Sequence, residues 1–144
     1  RGARCAREGD EVNLWTARIN YSGADRVDIS RAGCDRARKA GGETPGEFLA
    51  PSAGLVFPAL RRMKAATTDA EREWVWRAYS DAYRVEMLAS HKGRRAEWEA
   101  FLQRERATIV CYCAPVNGVL RCHRMLAAGY LARLGATYCG EVNA

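Results

Sequence analysis

Three cysteines, a histidine and an arginine fall close together near the end of the chain, as Cys111, Cys113, Cys122, His123 and Arg124. Cys111 and Cys113 are two residues apart, so at the end of an extended strand their side chains face the same way. Cys122-His123-Arg124 opens an apolar run of helical period. A helix N-terminus carries unpaired N–H groups and a partial positive charge, which favours anions and lowers the pKa of a thiol placed there. His123 is the residue type that passes protons near neutral pH. Arg124, with Arg121 three residues before it, offers forked donors for phosphate or carboxylate. These residue types describe a pocket for a phosphate-bearing molecule, either a nucleotide or a nucleic-acid end. Cys122 or Cys111 is its reactive thiol, His123 its proton carrier, and Arg124 with Arg121 its anion clamp.

Two other chemistries use the same residues. Cys111, Cys113, Cys122 and His123 make a three-sulfur, one-nitrogen set of the kind zinc takes, with Cys139 as a further candidate. The spacing is not that of paired Cys-x-x-Cys knuckles, and adjacent residues such as Cys122 and His123 rarely reach one ion together. Alternatively, Cys111 or Cys113 forms a redox pair with Cys122. One mechanism is excluded. A cysteine-phosphatase loop needs an arginine six positions after its cysteine, and Asn117, Val119 and Ala128 occupy those positions here.

The elements that must position these residues are legible from pattern. Residues 107–113 (ATIVCYC) form a short β-rich apolar run, as in a strand buried on both faces of a parallel sheet. Residues 114–121 hold the turn formers Pro115 and Asn117-Gly118. Residues 122–134 (CHRMLAAGYLARL) read as a helix stopped by Gly135, and residues 136–142 (ATYCGEV) as a closing strand. That is a βαβ unit, with ligands expected at the carboxyl ends of its strands. Upstream, residues 12–19 (VNLWTARI) and 26–30 (RVDIS) are strand candidates, and the latter brings Asp28 near enough to orient His123 or Arg124. Residues 32–54 hold four glycines before Gly54, two prolines and many charges, and are expected to be one long loop. From Leu55 the chain reads as helical, with Thr68 and Glu71 as a capping box. Trp76, Tyr79, Tyr83 and Met87 form an aromatic stripe suited to core packing. A break at Lys92-Gly93, next to a surface or capping His91, precedes a further helix over 94–104.

The stretch IVCYCAPVNGVLRCHR (109–124) resembles the hallmark of the DUF488 family: an apolar strand bearing a cysteine, a short loop, then Cys-His-Arg opening a helix. Cys111 matches the strand cysteine, and Cys122, His123 and Arg124 match the Cys-His-Arg. Cys113 stands where many members carry an acidic residue. Val27-Asp28-Ile29-Ser30-Arg31 is similar to the family's Asp-Val-Arg strand. Asp28 is in place, Ser30 takes the arginine position, and Arg31 follows as the candidate ligand contact. Leu49-Ala50-Pro51-Ser52 and the Trp/Tyr-rich helix are similar to one branch of the family. The resemblance implies an α/β fold and a family-type pocket; it implies no particular reaction.

Composition sets the frame. A length of 144 residues, 48% hydrophobic, fits one domain spanning 1–144 and excludes a disordered chain. The expected architecture is α/β, a parallel or mixed central sheet flanked by helices with the βαβ unit at its C-terminal end. No apolar run approaches the ~18 residues of a membrane span, so no membrane partner is expected. With no secretory signal and six cysteines in 144 residues, the expectation is a cytoplasmic protein whose thiols are catalytic, metal-bound or buried. No organic cofactor is expected, and zinc is the metal the cysteines would take. The net charge is +6, from 20 Arg and 3 Lys against 17 acids, and each half of the chain carries +3. Residues 106–140 hold four arginines and no acid, an anion-receptive stretch. The expected partner is thus an anionic small molecule or nucleic acid. A non-catalytic interaction module, using Arg31, Arg36, Arg38 and Lys39 around the 32–54 segment, is the remaining alternative.

Overall fold

The computed structural model describes residues 11–113 and 121–142. Its centre is a four-stranded sheet of β1 (Asn13–Arg18), β2 (Arg26–Asp28), β3 (Arg106–Cys111) and β4 (Thr137–Glu141). The order across the sheet is β2-β3-β1-β4 and every pairing is parallel. Of the two sheet types expected, the parallel one is observed. The reason is local: β3 is buried from Ala107 to Cys111, so it needs neighbours and cover on both sides. The β3–helix–β4 connection steps over β1, which lies between them. In a parallel sheet all carboxyl ends lie at one edge, so Asp28, Cys111 and Glu141 end their strands on the same side.

The 32–54 segment is not one long loop. It holds α1 (Arg31–Lys39), a 3-10 turn (Glu47–Leu49) and the start of α2 (Ala53–Ala65). Ser30 caps α1 by accepting from Gly33 N at 3.0 Å. Gly33 sits inside the helix because a Cβ there would lie 1.9 Å from Asp28 Oδ2. Only Gly33 and Cys34 of α1 are buried, and the helix carries no large apolar residue to mark it in sequence. Arg31 fastens this segment by donating to Glu47 Oε2 at 2.5 Å and Asp35 Oδ1 at 3.1 Å, and Arg38 also pairs with Glu47.

The remaining helices are α3 (Asp69–Gly93), α4 (Arg95–Leu102) and α5 (His123–Arg133). Thr68 caps α3 by accepting from Glu71 N at 3.1 Å, but the Glu71 carboxylate reaches back to Thr67 N at 3.1 Å, one residue before the expected partner. The buried face of α3 is Val75, Tyr79, Tyr83 and Met87, with Trp76 half-buried at its margin. Tyr83 donates to Leu49 O at 2.7 Å, and Phe48 meets Trp98 and Phe101 edge-on at 5.1 and 5.6 Å. The aromatic stripe is core, as its spacing suggested. Gly135, at φ +116°, ends α5 in a backbone conformation that favours glycine. Among the described residues no helix is long and apolar enough to cross a membrane. The expected turn around Pro115 and Asn117-Gly118 lies outside the described residues.

Candidate functional site

Cys111 closes β3 and Cys122 is the N-cap of α5, in extended conformation at φ −149° and ψ 145°. Parallel pairing of β3 and β1 sets the height of the first, and docking of α5 on the sheet sets the second. Their sulfurs lie in contact, while the two Cα atoms stand 7.8 Å apart, beyond the ~4.4–6.8 Å of an unstrained disulfide. Cys113 brings a third sulfur, and all three lie within 4.8 Å of one another. Cys111 and Cys122 are buried; Cys113 is partly exposed. Burial raises the Cys113 thiol pKa and the charge of Arg124 opposes it. The remaining free thiol described, Cys34, is pushed up to about 11 by burial and lies beside Asp28 O at 3.5 Å, away from this centre.

Arg124 is the hinge of the arrangement. Its side chain is fully buried, and its Nη1 donates to Cys113 O at 2.7 Å and lies 3.1 Å from Cys111 Sγ and 3.4 Å from Cys122 Sγ. Its other edge forks onto Glu141, with Nη2 at 2.8 Å from Oε2 and Nε at 3.3 Å from Oε1. The guanidinium therefore faces sulfur on one side and carboxylate on the other. It organises the cysteines, and its donors are already taken up by protein groups. Arg121 lies closer to solvent, at 26% exposure, and pairs with Glu73 at 2.8 Å.

His123 is buried and donates from Nε2 to Ile29 O at 2.9 Å. The proton sits on Nε2 because a carbonyl oxygen only accepts, which leaves Nδ1 as the acceptor. Burial lowers the ring's pKa to about 4, the Ile29 carbonyl and Asp28 oppose the fall, and the Arg124 charge adds to it. The imidazole is neutral at pH 7. Asp28 reaches it through charge alone: its Oδ1 accepts from Ser30 N at 2.8 Å and Ser30 Oγ at 2.7 Å, building the start of α1. Arg31 also belongs to that framework, through Glu47 and Asp35. Of the expected residues, Cys111, Cys113, Cys122 and Arg124 are brought together. His123 and Arg121 flank them, while the Asp28 carboxylate and Arg31 are committed elsewhere.

A cavity of about 70 Å³ opens beside the sulfurs, room for about two waters. One wall is Cys113, Arg121, Cys122 and His123; the opposite wall includes Met63, Trp76 and Tyr79 from α2 and α3. Trp76 and Tyr79 stack at 5.8 Å with planes 21° apart. The Tyr79 hydroxyl is buried without a hydrogen-bond partner, and burial, with the neighbouring Cys113, raises its pKa. Among the described residues, three larger cavities, of about 200, 310 and 410 Å³, have no cysteine in their linings. Sequence reasoning missed two members of this site. Glu141 is the first acid after the acid-free run, and Tyr79 shows itself in sequence only as part of a core stripe.

A family model described as "Active DUF488-N3 subclade" matches residues 3–135. No curated protein and no solved structure matches the chain.

Proposed function

The chain belongs to the DUF488 family, and on that premise we propose that it is a thiol-centred protein binding a small phosphate-bearing ligand, of nucleotide type, beside Cys122. The observation that carries this is the two-sided cavity: stacked Trp76 and Tyr79 on one wall, Cys113, Arg121, Cys122 and His123 on the other. At about 70 Å³, under half the space that encloses a benzene ring, the cavity takes only the ligand's polar end, which supplies the partner the Tyr79 hydroxyl lacks, and the base lies outside it over Trp76. Arg121 exchanges its Glu73 partner for the phosphate, beside the start of α5. Arg124 acts through the sulfurs, stabilising thiolate at Cys122 and Cys111, rather than clamping the ligand. His123, neutral and donating to Ile29 O, offers the ligand an acceptor at Nδ1. The Cys111–Cys122 pair closes to a disulfide only when the start of α5 moves toward β3, giving up two electrons and two protons to a peroxide or disulfide oxidant.

Titration of the reduced protein with AMP, adenosine and inorganic phosphate, followed by Trp76 fluorescence against a Trp76→Phe control, tests this. AMP is expected to saturate the site about tenfold more tightly than adenosine, and Arg121→Ala to remove that difference. If AMP and adenosine bind alike, or neither saturates at millimolar concentration, the phosphate reading fails.

A metal centre is the second reading, favoured by the third sulfur. Cys111, Cys113 and Cys122 lie within 4.8 Å of one another, close to the spacing of thiolates around one zinc ion. Zinc with three thiolates carries one net negative charge, which Arg124 is placed to balance. His123 is not part of the set whose ligand atoms lie within 4.8 Å of one another. On this reading the reduced protein carries about one zinc per chain, lost in Cys113→Ser and kept in Cys34→Ser. Elemental analysis without zinc overturns it.

A further inference from the structure

Further along α3 and α5 from the sulfurs, these two helices and α4 enclose a cavity of about 200 Å³. An apolar cavity of roughly 150 Å³ already accepts a benzene ring. Leu88, Trp98 and Tyr130 give it an apolar lining, one residue from each helix. The Trp98 indole N–H is spent on Ser90 Oγ at 3.1 Å, so the ring turns only carbon toward the space. Leu88 at the edge is 59% exposed, and a side chain of that size left open on a packed helix face has apolar surface still to cover.

Two arginines from different helices, Arg84 of α3 and Arg133 of α5, line the same space. The Arg133 guanidinium lies 6.0 Å from the Tyr130 ring centroid. Burial raises the pKa of the Tyr130 hydroxyl, while Arg84 and Arg133 both pull it down and Asp81 opposes them, so both cations converge on this end of the cavity. No carboxylate lines it, and among the described residues neither arginine forms an ion pair. Three of the four arginines in the acid-free run 106–140 are neutralised, Arg106 by Asp25, Arg121 by Glu73 and Arg124 by Glu141. Arg133 is the fourth.

We propose that this cavity is a second binding site, for a small apolar carboxylic acid. Its ring or hydrocarbon body lies between Leu88, Trp98 and Tyr130, and its carboxylate is held by Arg84 and Arg133. The planar carboxylate matches two guanidinium forks, whereas a neutral ligand of the same shape leaves both cations uncompensated. The volume sets the body at one aromatic ring with two or three methylenes.

Calorimetric titration with 3-phenylpropionate and with its neutral counterpart 3-phenylpropan-1-ol tests the assignment. One acid per chain is expected, bound about tenfold or more tightly than the alcohol. Arg84→Gln combined with Arg133→Gln brings the acid to the affinity of the alcohol without moving the melting temperature, since both side chains are exposed. Cys122→Ser leaves both titrations unchanged, which separates this site from the cysteine centre. Equal affinities for acid and alcohol, no saturable binding at millimolar acid, or undiminished acid binding in the double variant would each overturn the proposal. So would a concentration-dependent dimer dissociated by Leu88→Ser, because the lining would then belong to an interface between copies.

Discussion

Replacing Arg124 by methionine is expected to lower folding stability by about 3 kcal/mol, roughly 10 °C in melting temperature for a chain of this size. Methionine fills much of the volume, so little of the loss is packing. What is lost is the partner of two half-buried acceptors: Glu141 keeps its charge with no cation beside it, and Cys113 O loses a donor at 2.7 Å. Removing one member of a fully buried ion pair costs about 3–5 kcal/mol, and the 28% exposure of the Glu141 side chain places this pair at the low end. Arg124→Met with Glu141→Gln is therefore expected to recover about 1–2 kcal/mol of the loss, because the stranded charge is gone. Urea unfolding of the four proteins of this cycle, all under reductant, measures it. If Glu141→Gln makes Arg124→Met less stable still, the carboxylate was not stranded and the pairing is not what holds Arg124. Arg124→Lys separates charge from shape: one ammonium cannot fork on Glu141 and also reach the sulfurs, so it behaves closer to methionine than to arginine.

This pair also explains what the sequence could and could not show. The stretch from Arg106 to Gly140 lacks acids, which by itself points to an open cationic site. The residue that closes it, Glu141, stands one position beyond the run. It faces Arg124 because β4 lies in the same parallel sheet as β3 and ends at the same edge. No local pattern encodes that pairing; the topology does. The strands and α5 were legible because a parallel sheet buried on both faces demands short apolar, β-rich runs; of the expected strand 107–113, residues 107–111 lie in β3 and Tyr112 and Cys113 follow its end. Helix α1 was hidden for the opposite reason. Its stability comes from the Asp28–Ser30–Gly33 cap and the Arg31–Glu47 pair, neither of which leaves a hydrophobic period. Gly33 and Gly46, which read as loop residues, are there because Asp28 crowds them: a Cβ at Gly46 would lie 2.3 Å from Asp28 O. At the site, residue types pointed to the sulfurs and Arg124, and the fold brings these side chains together. The division of labour between Arg124 and Arg121 depended on burial, which sequence does not carry.

Acidification from pH 7 to pH 5 is expected to remove roughly 2 kcal/mol of stability through His123 alone. Burial holds the folded-state pKa at about 4, against 6.5 for a free imidazole. Between those values the unfolded chain binds a proton that the folded chain refuses, so stability rises with pH across the window. The full contribution is present above pH 6.5 and is lost as the pH falls toward 4. Most carboxylates are still ionised at pH 5, which keeps their contribution out of this range. His123→Gln preserves a donor toward Ile29 O and cannot titrate, so its stability should stay level from pH 7 to pH 5 while the parent's falls. His91 is common to both proteins, and the difference between their urea midpoints reports His123. The same pKa bears on the chemistry. A neutral ring whose one proton is committed to a backbone carbonyl cannot act as a general acid at pH 7 without losing that bond. Any thiol reaction of this site should therefore show no inflection near pH 6.5. A parent protein as stable at pH 5 as at pH 7, or a rate profile breaking at 6.5 that His123→Gln abolishes, would mean that the imidazole meets water and carries protons after all.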